Sequence, residues 1–155
     1  MNLKLADILK TYNWRDSYYD LYPGYSKPMK EDAECMFEDK DTAIADAEDL
    51  LDMVKGFPDP LPVYRVIGVK QIKDVDLDNP GWSWSWEKES AIGFAGGNGI
   101  PKPWALLRGY APKSKVHWLE TLKLYHEYSG AGVGDSENEI RIPGNEVKDV
   151  KAKLL

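Results

Sequence analysis

The spacing of apolar residues changes near Pro62. Upstream, Ile44, Ala47, Leu50, Leu51 and Val54 recur at helical spacing and form one stripe. Asp41 and Thr42 suit the start of that helix, and Gly56, Pro58 and Pro60 stop it after Lys55. Leu3 to Leu9 fits a shorter opening helix, and the Tyr-, Pro- and Gly-rich stretch from Tyr18 to Pro28 reads as a loop. Downstream the period falls to two. Val63, Arg65 and Ile67 share one face of a strand, with Tyr64 and Val66 on the other. Trp82, Trp84 and Trp86 alternate with Ser83 and Ser85 in the same way.

Glu87 and Glu89 then open a helix through Ala91 and Phe94, closed by Gly96 and Gly97. Trp104 to Leu107 reads as a buried strand, and His117 to His126 as a helix. Glu139 to Ile142 and Val147 to Leu155 read as two final strands around the Pro143-Gly144-Asn145 turn. The pattern predicts one α+β domain over residues 1–155, with a helical portion to residue 60 and a strand-rich portion from residue 61.

Composition narrows the class. The chain is 43% hydrophobic and 30% charged, which fits a folded globular protein better than a disordered one. No apolar run approaches the ~20 residues of a membrane helix. Lys4 and Asp7 interrupt what could otherwise be a leader, so a cytoplasmic location is expected. Cys35 is the sole cysteine, which leaves no internal disulfide or cysteine metal cluster, and His117 and His126 are too isolated for a metal site. The net charge of −6 argues against nonspecific nucleic-acid binding. From Glu31 to Asp52 ten acidic residues face one base, Lys40. That block is read as a solvated helix face, or alternatively as a docking surface for a basic partner.

Three segments carry candidate chemistry. Arg65 is a lone cation in an apolar strand: either it reaches solvent along its aliphatic stem, or its planar fork pairs with phosphate. Ser83 and Ser85 are either the wet side of a half-buried strand or hydroxyls aimed at a ribose, a carboxamide or a carboxylate. Glu137 and Glu139, two apart on a strand, are expected on one face about 6–7 Å apart. They form either an ordinary polar face or a carboxylate pair for proton transfer and for stabilising positive charge at a breaking glycosidic bond. The glycines from Gly130 to Gly134 lack the Gly-Lys-Ser/Thr ending of a nucleotide phosphate loop.

In order, these segments resemble the arginine-serine-glutamate class of mono-ADP-ribosyltransferases. Tyr64-Arg65 looks like that family's aromatic-Arg strand. Ser83-Trp84-Ser85, followed by Ala91 and Phe94-Ala95, looks like its Ser-Thr-Ser strand and helix, with Trp84 in place of the usual Thr. Glu137-Asn138-Glu139, with its apolar continuation and Pro143-Gly144 turn, looks like its Glu-x-Glu strand. The resemblance spans about Leu61 to Leu155.

It implies N-terminal helices packed on two mainly antiparallel sheets around an NAD cleft. Arg65 would contact the NAD phosphate and ribose. Ser83 would support the nicotinamide ribose and position Glu139, and Glu139 would stabilise the oxocarbenium-like transition state. Glu137 would activate an acceptor, which Glu-x-Glu associates with arginine. Tyr64, Ser85 and Phe94 complete the implied NAD site, no metal is implied, and the loop from Tyr128 to Ser136 would recognise the target. The expected activity is transfer of ADP-ribose from NAD to a protein acceptor, as in a bacterial or phage effector acting on a host protein. A non-catalytic interaction module on the same fold and an NAD glycohydrolase remain as alternatives.

Overall fold

The computed structural model describes residues 49, 50, 52–129 and 138–155. The expected opening helix, the loop at 18–28, most of the acidic block, nearly all of the glycine-rich loop, and Glu137 lie outside the described residues. Residues 49–50 and 52–56 are helical, as their apolar stripe predicts, and they bury Leu50 and Val54 in the main core. Lys113 Nζ donates to the Val54 carbonyl at 2.7 Å, a cation at the carbonyl end of a helix.

Five strands follow: β1 (Leu61–Gly68), β2 (Ser83–Ser85), β3 (Trp104–Ala111), β4 (Glu139–Arg141) and β5 (Lys148–Leu154). Two helices accompany them, α1 (Lys88–Gly97) and α2 (Trp118–Ser129). The fold is therefore α+β. No described helix is long and apolar enough to cross a membrane.

The described strands form one sheet in the order β4-β2-β1-β3-β5, antiparallel throughout; a second sheet, as expected from the resemblance, is not among the described residues. Its pairing is uneven. β1 and β3 are in register over eight pairs, from Leu61 opposite Ala111 to Gly68 opposite Trp104. β2 and β4 pair over three. Between these blocks, β1 and β2 are registered only at Tyr64 opposite Ser85. Backbone register between the small β2-β4 half and the larger β1-β3-β5 half is thus confined to one position.

Strand alternation divides the side chains between two layers. Val63, Trp84, Leu107, Ile140 and Ile142 are almost fully buried and form the main core with Trp118 and Leu122 of α2. On the other face, α1 places Ala91 and Ala95, one helical turn apart, on Val66 and Leu106. Small residues there let the helix axis come close to the sheet. The helix runs through Gly96 and Gly97 and closes one step later than expected. Asn98 N–H and Nδ2 both donate to the Phe94 carbonyl (3.0 and 2.9 Å), and Ile100 N–H donates to the Ala95 carbonyl (3.0 Å). Gly99 adopts φ +64° at this exit, a conformation in which a side chain is costly.

The two final strands are separated by a short helical turn at Gly144–Glu146, yet they occupy opposite edges of the sheet. The crossing needs Gly144. A Cβ there would lie 2.7 Å from both N and O of Gly81. At the far side, Gly109 of β3 leaves room for Val147 and Val150 as the chain enters β5.

Candidate active site

Ser83 and Ser85 point away from the tryptophan-bearing core face, as their alternation predicts. Trp84, where the resembled family carries Thr, is 2% exposed and fills the main core. Its Nε1 donates to the Gly81 carbonyl at 3.0 Å. Trp82 is more open and meets His117 edge-on, with ring centroids 5.2 Å apart.

A cavity of about 300 Å³ opens between β1, β2, β4 and α1. Tyr64, Arg65, Ser83, Ser85, Phe94 and Glu139 all line it, together with Ser90, Ala91 and Ile100. Every residue expected to hold NAD therefore borders one cavity. Its volume matches the small end of ligand sites and suits one half of a dinucleotide better than the whole.

Glu139 is the hub. Ser83 Oγ donates a short hydrogen bond to Glu139 Oε1, and Arg141 Nη1 donates to the same oxygen at 3.2 Å. The Glu139 and Arg141 side chains are only 13% and 17% exposed, so this ion pair is shielded from water and salt. Among the described residues nothing bonds Oε2. Arg141 N–H in turn donates to Thr121 Oγ1 at 3.1 Å, and His117 N–H to the Arg141 carbonyl at 2.8 Å. These bonds fasten β4 to α2.

Of the expected carboxylate pair, Glu139 is in β4 and Glu137 lies outside the described residues. β4 begins at Glu139, and Asn138 has φ +47°, in the left-handed region that Asn tolerates best after Gly. Asn138 Nδ2 donates to Glu87 Oε2 (2.9 Å) and Ser90 Oγ (3.0 Å), and Glu87 N–H donates to Ser85 Oγ (3.1 Å). This network ties the start of α1 to the site.

Arg65 leaves β1 on the core side, with Val63 and Ile67. Where the β1-β2 pairing lapses, its Nη1 donates to the Ser83 backbone carbonyl at 2.6 Å. The guanidinium lies flat on Gly81, whose φ of +102° and missing Cβ make the space: a Cβ there would sit 2.9 Å from Arg65 Cζ. Burial lowers the Arg65 pKa, Arg141 lowers it further, and Glu139 acts in the opposite sense. Its Nε is buried and unpaired among the described residues. Arg65 is thus a clamp on the strand that carries Ser83.

Sequence reasoning passed over Arg141 and Gly81. Arg141 was legible as the second residue after Glu139, on the same face of a strand. Gly81 sits in the Pro80-Gly81 pair just before β2, a turn signal that gave no hint of the guanidinium above it. No family model matches the chain, nor does any curated protein or solved structure.

Proposed function

We propose that the protein is an NAD-dependent mono-ADP-ribosyltransferase acting on a protein acceptor, with arginine as the acceptor side chain. One observation carries this reading: a cavity-lining carboxylate is held through a single oxygen by a serine and an arginine, with its other oxygen unbonded by any described residue. A carboxylate fixed in this way can accept a hydrogen bond from a ribose hydroxyl and keep negative charge beside a sugar carbon that is becoming positive. NAD supplies an ADP-ribosyl group on a glycosidic bond whose cleavage releases neutral nicotinamide.

Each residue then has a task. Ser83 fixes the rotamer of Glu139, so that less reorganisation is needed when charge develops. Arg141 balances the carboxylate. Arg65 holds the Ser83 backbone in place, and the half-exposed Phe94 ring offers an apolar wall for a flat base. The match of Glu137-Asn138-Glu139 to the family's Glu-x-Glu supports arginine as the acceptor.

The test is incubation of the protein and of Glu139→Gln with labelled NAD and cell lysate, following protein labelling and nicotinamide release together. Labelling by the wild type and its loss in a folded Glu139→Gln are expected. Nicotinamide release without labelling would reassign the protein as an NAD glycohydrolase. Neither signal from the folded wild type would end the enzymatic reading.

A further inference from the structure

The cross-strand register draws a line of residues from the cavity to the far edge of the sheet. Glu139 is opposite Ser85, Ser85 opposite Tyr64, Tyr64 opposite Arg108, and Arg108 opposite Lys151. Residues directly opposite one another share a face, so all five stand on the cavity side of the sheet. At about 4.8 Å per strand, Arg108 lies roughly 14 Å from Glu139 and Lys151 one strand further.

Arg108, Lys151 and the neighbouring Lys153 are exposed and form no ion pair with any described residue. The Arg108 guanidinium rests 5.5 Å from the centre of the Tyr110 ring, a contact that limits its freedom without neutralising it. In a chain of net charge −6 these three cations, unpaired among the described residues, share the face of the sheet that carries the cavity. Arg65, the cation expected to meet the phosphates, is committed to the Ser83 carbonyl and to the surface of Gly81. The dinucleotide's two phosphate charges need another partner.

We infer that Arg108, backed by Lys151, is the phosphate-binding group of this site. It anchors the pyrophosphate of a dinucleotide whose nicotinamide-ribose end sits at Ser83 and Glu139. The inference rests on the transferase reading for the identity of the dinucleotide, but the anion site itself can be examined without it. Arg108 is a specificity residue: it selects ligands that carry the pyrophosphate and takes no part in bond cleavage.

The experiment is calorimetric titration of NAD, inorganic pyrophosphate and nicotinamide into the wild type, Arg108→Gln and Arg108→Lys. Lys70→Gln serves as a control for the loss of one exposed charge. Loss of a charge-assisted, forked contact is expected to weaken NAD and pyrophosphate by about tenfold or more in Arg108→Gln, with partial recovery in Arg108→Lys. Nicotinamide binding and the melting temperature should not move, because Arg108 is exposed. NAD binding that is equally tight in wild type and Arg108→Gln would overturn the inference and leave the transferase reading standing. Pyrophosphate binding that depends on Arg108, with no NAD binding at all, would keep the anion site and remove the transferase reading. If the wild type binds neither NAD nor pyrophosphate, both fall.

Discussion

Gly81→Ala probes the coupling between the fold and the candidate site. The new methyl carbon would lie 2.9, 3.0 and 3.1 Å from Cζ, Nη2 and Nη1 of Arg65, inside contact distance of the whole guanidinium. It would also place a side chain at φ +102°, a strain of about 1–3 kcal/mol. Arg65 cannot move away without stretching its 2.6 Å bond to the Ser83 carbonyl, and hydrogen bonds to charged groups contribute about 1.5–3 kcal/mol. The single substitution should therefore destabilise by roughly 2.5–6 kcal/mol.

In an Arg65→Met background the opposing guanidinium and its hydrogen bond are gone. Only the backbone strain remains, and the cost should fall to about 1–3 kcal/mol. Urea unfolding followed by tryptophan fluorescence suits the measurement, because Trp84 is buried and bonded to the Gly81 carbonyl. A full cycle of wild type, both single variants and the double variant yields the coupling directly. Additivity within about 0.5 kcal/mol would refute the claim that Gly81 exists to seat Arg65.

Ser83→Ala should lower the transfer rate by about ten- to a hundredfold with little change in KM, since it frees the Glu139 rotamer. An unchanged kcat would separate Ser83 from the chemistry. Ala95→Leu should cost about 1–3 kcal/mol in urea unfolding, because Ala95 is fully buried where α1 meets Val66 and Leu106. A neutral result would mean that the helix does not dock as described. His117 is held below its ordinary pKa of 6.5, first by burial and then by Arg141. As pH falls the unfolded chain takes up this proton first, so His117 favours the folded state fully above 6.5 and progressively less as pH drops towards its folded value. His117→Gln should remove that part of the acid-side slope in stability, and identical slopes for the two proteins would contradict the burial.

Local periodicity was enough to recognise most elements. The two-residue alternation at Val63-Arg65-Ile67 and at Ser83-Trp84-Ser85 survives in β1 and β2 because each strand has one face on the apolar core. The four-residue spacing of Ala91 and Ala95 likewise marks the sheet-facing side of α1. Non-local pairing was not legible. Nothing local reveals that β4 and β5, a few residues apart, take opposite edges, since that depends on Gly144 resting on the Gly81 backbone. Residue types pointed to the candidate site, and all six expected NAD contacts line one cavity. Its internal wiring was hidden for two reasons. The lapse in β1-β2 pairing lets Arg65 reach the Ser83 carbonyl, and the left-handed Gly81 seats its guanidinium; neither leaves a local period.

The single registered pair between β1 and β2 divides the labour of the site. Ser83, Glu139 and Arg141 all ride on the small plate formed by β2 and β4, whereas Tyr64 and Arg108 ride on the large one. The reactive pair is therefore preset within the small plate, and the bond from Arg65 to the Ser83 carbonyl and the shared apolar core hold that plate to the strand leading to the anchoring end.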